Sequence, residues 1–151
     1  MKKSYSLLWC LMLMLALVNA GCKKKVKPVS ERIAKAWTAE SVKEGTVVVY
    51  TRGGSSNTRP GYSDFRLTLT TASGVNTATY KEFDGNTFTG TWALEGSSKL
   101  ILSSLTPAPT GSGGTLEFSI TSIDDAKLVI KRLTASKKTG DTINEYTLTN
   151  P

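Results

Sequence analysis

The chain has 151 residues, with 19 Lys and Arg against 12 Asp and Glu, and it contains no His. Both cysteines, Cys10 and Cys22, lie near the amino terminus, so the rest of the chain has no residues for a disulfide, a Cys/His zinc site or a thiol nucleophile. The length predicts one domain.

The first 21 residues have the layout of a secretory signal peptide. Lys2 and Lys3 precede an uncharged apolar run at 7–18, which ends near the small residues Ala20 and Gly21. The run is shorter than the roughly 20 apolar residues that a membrane-spanning helix needs. We therefore predict that residues 1–21 are a cleaved signal rather than a transmembrane anchor.

The segment that ends the signal peptide resembles the lipobox of bacterial lipoproteins. It reads Ala20-Gly21-Cys22, and in that class the cysteine is acylated and becomes the first mature residue. The resemblance implies that Cys22 is lipidated and holds the protein on membrane lipid. The alternative is ordinary secretion, with Cys22 left as a free thiol.

Residues 22–30 are predicted to form a basic tether, because Lys23, Lys24, Lys25 and Lys27 follow the cysteine directly. Lysines beside an acyl anchor favour contact with anionic lipid headgroups, each contributing about 1 kcal/mol near the surface. Without the lysines of the signal and tether, 13 basic and 12 acidic residues remain. This nearly neutral balance excludes the basic face that a nucleic-acid-binding protein needs.

Residues 31–151 are predicted to form one all-β domain. A helical turn is expected at 30–36 with Ser30 as its cap, followed by strands at 37–43 and 46–51 and by a loop at 52–62. Apolar residues then alternate with polar ones, the pattern of strands with one buried face, at 65–69, 88–94, 100–102, 116–120, 128–130 and 146–148.

Short turn signals separate these strands and indicate hairpins between neighbours. They lie at 73–74, 84–86, 95–97, 123–126 and 137–141, and a second long loop is expected at 104–114. Eight or nine strands in such a meander leave no long exposed edge if they close into an up-and-down antiparallel barrel. A β-sandwich is the alternative that strand number alone does not exclude.

Three segments of the chain resemble the lipocalin-like domain of lipoproteins that are common in Bacteroidetes, which typically shows an early L-x-G-x-W, a central D-G-T-Y-x-G-x-W and a late alternation of Leu. Trp37 matches the early Trp, Gly90 and Trp92 match the central pair, and Leu128 and Ile130 match the late alternation. The matching segments are 33–42, 83–102 and 118–132. The resemblance implies a lipocalin-like barrel after the signal peptide.

The same resemblance implies a plug at one end of the barrel. A large aromatic residue on the first strand of a lipocalin closes that end, and a late basic residue packs on its face. Trp37 is the expected plug, and Arg132 or Lys131 is the expected cation, in a contact worth about 0.5–2 kcal/mol. The alternative for Trp37 is ordinary core packing.

Three functions are compatible with this sequence. The resemblance implies that the barrel binds a small hydrophobic ligand, and the candidate lining residues are Phe65, Leu67, Leu69, Tyr80, Phe88, Trp92, Phe118, Ile130 and Tyr146. An eight-stranded barrel is also narrow enough to be filled by such large side chains. The second hypothesis is therefore an interaction or inhibitor module with a filled barrel, which binds an envelope protein through the loops at 52–62 and 104–114.

The third function, catalysis, is not expected. Without His or a Cys beyond residue 22, a general base at neutral pH would need a carboxylate or a Lys with a strongly shifted pKa. Asp124 and Asp125 are adjacent, but they lie in a predicted turn and are interpreted as turn formers. The sequence thus predicts a monomer that needs no cofactor and no metal. Lys23 after the cysteine fits outer-membrane sorting, and the periplasmic face is the expected location.

Overall fold

The computed structural model describes residues Val26–Pro151. The predicted signal peptide at 1–21, Cys22 and the first part of the 22–30 tether lie outside the described residues. Within the described range, no helix is both long and apolar enough to cross a bilayer.

The described chain folds into nine antiparallel strands with one short α-helix, α1 (Val29–Ile33). The strands are β1 (Ala36–Glu44), β2 (Val47–Thr51), β3 (Arg66–Ala72), β4 (Val75–Lys81), β5 (Thr87–Glu95), β6 (Lys99–Thr106), β7 (Leu116–Ile123), β8 (Lys127–Arg132) and β9 (Asn144–Thr149). Two 3-10 helices, Pro60–Asp64 and Lys137–Thr139, lie between strands.

The sheet closes on itself because β1 pairs with β9. The first residues of β1 pair with β3, at Ala36 to Thr38, and its last residues pair with β2, at Ser41 to Glu44. Eight strands therefore form the closed barrel, and β2 is an additional strand beside β1. The predicted up-and-down barrel is confirmed, and the sandwich alternative is excluded by the β1–β9 closure. A closed up-and-down barrel of eight strands is the lipocalin architecture.

The barrel has two ends, which we name by what lies there. The helix end carries α1 and the turns at 73–74, 96–98 and 124–126, and the loop end carries the connections at 45–46, 82–86, 107–115 and 133–143. Strand direction assigns these connections, because successive antiparallel strands turn at alternate ends of the barrel.

α1 is held on the helix end by contacts to the β7–β8 turn. Arg32 Nη1 donates to the Ile123 carbonyl at 2.7 Å, and Lys35 Nζ donates to the Asp125 carbonyl. The helix differs from the prediction at its start. It begins at Val29 with Pro28 as the N-cap, and no side chain caps it, so Ser30 lies inside the first turn rather than at the cap.

The second long loop also differs from the prediction. Residues 104–106 belong to β6, and the loop occupies 107–115. β6 continues past Ser104 through an irregular register opposite β5, and Ser104 has a positive φ of 53°. A bulge lets a strand continue through residues that lack the alternating pattern. The alternation of apolar residues therefore ends before β6 itself ends.

Candidate functional site: the barrel interior and its loop end

All the candidate lining residues point into the barrel and are buried. The exposed fraction is 0% for Phe65, Leu67 and Leu69 and no more than 4% for the others of the set: Tyr80, Phe88, Trp92, Phe118, Ile130 and Tyr146. In the strands where it was found, the alternation therefore identified the inward face. Whether these side chains surround a space or fill it depends on their contacts with one another.

Five of the rings form one layer of contacts across the barrel. Phe65 stacks on Tyr146 with ring centroids 4.8 Å apart, and it meets Tyr80 edge-on at 5.6 Å. Tyr80 also contacts Phe88 at 6.0 Å and Phe118 at 6.4 Å, and Phe118 contacts Tyr146 at 6.3 Å. These separations are those of directly packed aromatic pairs.

The contact between Tyr80 and Phe118 spans the interior. Tyr80 lies on β4 and Phe118 lies on β7, and β5 and β6 stand between these strands along the wall. Rings that meet from non-neighbouring strands leave no axial channel in this layer. We call these five rings, Phe65, Tyr80, Phe88, Phe118 and Tyr146, the ring layer.

The two buried tryptophans, Trp37 and Trp92, make different contacts. Trp37 is fully buried near the helix end, and its Nε1 donates to the Ile33 carbonyl at 2.8 Å, which ties β1 to α1. Trp92 Nε1 donates to the Thr70 carbonyl at 3.0 Å. Trp37 thus helps to close the helix end, as a barrel plug would.

The predicted contact between Trp37 and Arg132 is wrong. Thr38, next to Trp37, pairs with Thr149, and Thr149 pairs with Lys127 at the start of β8. Arg132 is the last residue of β8, so it lies at the loop end and Trp37 lies near the helix end. Lys131 is at the loop end too and is exposed. The cation over the Trp37 ring is Lys35, whose Nζ is 5.7 Å from the ring centroid.

Tyr62 closes part of the loop end. The residue lies in the 3-10 helix Pro60–Asp64 and is 1% exposed, although it falls in a segment predicted to be a loop. Its ring lies 5.0 Å from that of Phe83 and 6.2 Å from that of Tyr146. Its hydroxyl donates to Glu44 Oε1 at 3.0 Å, and Glu44 Oε1 also pairs with Arg59 Nε at 2.6 Å.

Burial strongly raises the pKa of the Tyr62 hydroxyl, and the neighbouring Tyr146 and Glu44 raise it further. Tyr62 therefore stays protonated and acts as a hydrogen-bond donor. Asn144 completes the network, since its Nδ2 donates to the Tyr62 and Tyr146 hydroxyls at 3.4 and 3.3 Å. Its Oδ1 accepts from Thr139 and Thr142 at 3.1 and 2.7 Å.

Lys138 bridges the loop end from one side to the other. It belongs to the β8–β9 connection, and its Nζ lies 2.5 Å from Glu82 Oε2 and 2.7 Å from Asp84 Oδ2, on the β4–β5 connection. These two connections stand on opposite sides of the closed barrel. Lys138 Nζ also lies 5.6 Å from the centroid of the Phe88 ring. We call this arrangement the Lys138 bridge.

The bridge affects the titration of its members. Burial alone would lower the pKa of Lys138, but hydrogen bonds to Asp84 and Glu82 raise it overall. Burial alone would raise the pKa of Asp84, whereas hydrogen bonds from Lys138 and Asn86 hold it below its usual value. Both groups are therefore charged at neutral pH.

The sequence interpretation missed most of the loop-end network, although a signal for it existed. Glu82, Arg132 and Asn144 continue the inward alternation of β4, β8 and β9 by one step beyond the apolar residues, and all three are buried. A search for alternating apolar residues does not detect polar residues that lie in the same phase. Lys138 and Tyr62 lie outside any strand period and carried no such signal.

The two predicted recognition loops do not form one surface. Arg52, at the start of the first, donates to the Ala39 carbonyl and to Thr38 Oγ1 on the wall of the barrel. The 107–115 loop lies at the loop end, where a Cβ added to Gly111 would come within 2.8 Å of Lys137 Cγ. The first loop reaches the loop end only in its later part, through Arg59, which pairs with Glu44, and through the 3-10 helix that follows it.

A surface cleft of about 340 Å³ lies where β1 changes partner. It is lined by Thr38, Ala39, Tyr50, Arg52, Ser63, Arg66 and Pro151. Its arginines are already engaged, because Arg66 Nη1 donates to the Ser63 and Phe65 carbonyls and Arg52 donates to Ala39. Both guanidinium groups of the cleft are therefore held by contacts within the protein.

The acidic pair at the helix end behaves as a turn. Asp124 Oδ1 accepts from the backbone N–H groups of Ala126 and Lys127, both at 2.7 Å. These bonds hold the pKa of Asp124 below its usual value. In the part of the chain from Val26 onward, no group of three or more acidic, Cys or His side chains is arranged to hold a metal ion.

Comparison with known proteins gives a limited result. No family model matches the chain, and no curated protein matches it. Among solved structures, a lipocalin-like protein from Bacteroides uniformis has a TM-score of 0.44 and 12% identity, covering 80% of this chain and 99% of that one. An uncharacterized protein from Bacteroides eggerthii has a TM-score of 0.44 and 11% identity, with coverage of 78% and 98%. At such identities the likeness does not extend to function.

Proposed function

We propose that this chain is a lipid-anchored protein of the cell envelope, and that its filled barrel serves as a protein-interaction module through the loop end. The observation that carries the second part is the ring layer. Side chains that would line a ligand cavity contact one another across the barrel instead. A barrel of this kind is a rigid support for connections at its ends rather than a container.

The anchoring part rests on the sequence. A signal-like segment, Cys22 at its end and the lysines that follow support acylation of the cysteine and attachment to the outer membrane, facing the periplasm. Acyl chains bury methylene groups at about 0.8 kcal/mol each, so several chains anchor a protein stably. The mass of the mature protein tests this part: we expect an acylated amino-terminal Cys22, and a free thiol or a different first residue would contradict it.

Anchoring at Cys22 would also orient the barrel. The residues between Cys22 and α1 span at most about 25 Å when fully extended, and α1 lies on the helix end. The helix end would then be held near the membrane, and the loop end would be presented away from it. The 107–115 loop and the 133–143 connection are the longest connections of this end and would offer a partner the most surface.

Site-specific photo-crosslinking in intact cells tests the interaction. A photoreactive residue is placed at exposed Thr110 in the loop end, and a matched one is placed at exposed Ser97 in a turn of the helix end. We expect a discrete protein adduct from position 110 and none of the same mass from position 97. Equal adducts from both positions, or none from position 110, would overturn the proposal.

The hydrophobic-ligand hypothesis is the competing outcome. Native mass spectrometry of the chain purified from its own membranes distinguishes the two functions. A filled barrel predicts that no apolar molecule adds to the mass of the lipidated polypeptide. A stoichiometric apolar molecule, released when a ring-layer residue such as Phe118 is changed to Ala, would favour a ligand carrier. We propose a binding role rather than catalysis, since the chain has no His.

A further inference from the structure

Arg132 is a buried cation inside the barrel. It continues the inward series of Leu128 and Ile130 on β8, and it is 5% exposed. Its cross-strand partner is Phe118 of the ring layer, so the side chain projects from the wall beside that layer at the loop end. Arginine is almost never buried without a partner, because its charge cannot be removed by deprotonation.

Within the described range, no protein group satisfies this guanidinium. Its Nε is fully enclosed and has no hydrogen-bond partner, and Arg132 forms no ion pair with a described carboxylate. The nearby carboxylates Glu82 and Asp84 both contact Lys138 instead. The four charges balance overall, and Glu82 acts on the same two phenols as Arg132, but no contact in the described range satisfies the Nε of Arg132. A water molecule could accept from Nε, yet it would bring no negative charge.

The hydroxyls near Arg132 suit an anion. Burial raises the pKa of both Tyr80 and Tyr146, and the positive charge of Arg132 partly offsets this rise for each of them. The guanidinium is thus close enough to act on both phenols, and both remain protonated at neutral pH. The Tyr146 hydroxyl accepts from Asn144 and from the Tyr80 hydroxyl. The proton of Tyr80 is therefore already used, and that of Tyr146 is left to donate.

We propose that Arg132 binds the carboxylate group of a small anionic ligand at the loop end, with the Tyr146 hydroxyl as an additional donor. A guanidinium matches a carboxylate through two parallel N–H···O bonds, which are stronger than bonds between neutral groups. The ring layer limits the size of the ligand, because no apolar chain passes between rings in contact. This site is independent of the proposed partner surface, which uses the outer face of the same end.

The probe is benzoate, and benzyl alcohol is the neutral control with the same ring. We expect benzoate to raise the melting temperature of the full chain saturably at constant ionic strength, and benzyl alcohol to leave it unchanged. Arg132→Gln should weaken benzoate binding at least about tenfold, the loss expected for one charge-assisted hydrogen bond. Lys131→Gln removes the same charge from the exposed neighbour on β8 and should keep the affinity within about twofold.

A second measurement does not depend on the variants folding. The enclosed Nε–H of Arg132 should exchange slowly enough to be followed by nuclear magnetic resonance, and benzoate should shift its signal with the same dissociation constant as the melting experiment. Equal effects of benzoate and benzyl alcohol, an unmoved Nε–H signal, or equal benzoate affinity in Arg132→Gln would each overturn the proposal. The crosslinking experiment can fail while this site stands, since it reports on the outer surface.

Discussion

Gly90 occupies a position that admits no side chain. It lies on β5 opposite the irregular part of β6, and a Cβ built there would come within 2.4 Å of the Ser103 carbonyl oxygen and 3.0 Å of the Ser104 carbonyl carbon. Both atoms belong to the backbone, so they move only if the strand moves. The match of Gly90 to a family motif therefore has a local steric cause.

Replacing Gly90 with Ala should destabilise the protein by about 1–3 kcal/mol, the usual cost of forcing extra atoms into a packed site. Thr89→Ala changes the exposed neighbour on the same strand and should stay within about 0.5 kcal/mol. Urea unfolding of both variants measures the difference. Equal midpoints for Gly90→Ala and the wild-type chain would contradict the steric account.

Individual residues also show what the sequence could and could not predict. The period of two placed Phe65, Phe88 and Phe118 inside, because alternation fixes the face of a strand directly. It could not place Arg132 relative to Trp37, since that requires knowing at which end of the barrel each strand stops. Nor could it tell packed rings from a lined cavity, because side-chain contacts depend on strand stagger.

Among the connecting elements, the Lys138 bridge joins two that are far apart in sequence. The β8–β9 connection reaches the β4–β5 connection through an ammonium group with two carboxylate partners. Glu82 is 5% exposed, so its charge depends on Lys138 for compensation. Removing one member of a buried ion pair leaves the other uncompensated, which costs more than the pair contributes.

Lys138→Gln should destabilise the protein by about 3 kcal/mol at neutral pH. The neighbouring Lys137 pairs with Asp141, and both side chains are largely exposed. Lys137→Gln should therefore cost less than about 1 kcal/mol. Thermal unfolding of the two variants at pH 7 provides the comparison. Equal losses of stability would contradict the contribution expected of the Lys138 bridge.

The same bridge gives the protein an acid dependence of known sign. The pKa of Asp84 is lowered in the folded state, so its contribution is present above its unfolded pKa and is lost as the pH falls through the folded value. Stability should fall below about pH 4, and the slope should be shallower in Lys138→Gln. Some slope should remain from Asp124, whose pKa is lowered by backbone N–H groups.

The whole molecule depends on a pairing between its first and last strands. β1 pairs with β9 from Thr38–Thr149 to Glu44–Asn144, and this contact alone turns a meander into a barrel. The hairpins were predictable from turn signals and alternation, since each is local in sequence. The barrel was predicted over the sandwich only from the number of strands, and the closing pair itself was not predictable, because it joins two strands separated by most of the chain.

A chain that ends at Ile143 should therefore fail to fold rather than lose one strand. Such a chain lacks β9, so the edges of β1 and β8 that pair with β9 become exposed. Tyr146 is also missing from the ring layer. A chain that ends at Asn150 keeps the side-chain bond from Asn150 to the Ala36 carbonyl and should melt like the full protein. Circular dichroism and thermal melting compare the two, and a cooperative transition in the shorter chain would refute the dependence.

The partner change along β1 also determines how the molecule bears mechanical load. A pull on the chain ahead of α1 is transmitted along β1, which is bonded to β9 on one side and to β3 and then β2 on the other. Hydrogen bonds of antiparallel pairs lie perpendicular to the strands, so this pull loads them in shear and together instead of opening them one at a time. β2 is not needed to close the barrel. By pairing with the last residues of β1, it supports a second edge of the strand that bears most of the load.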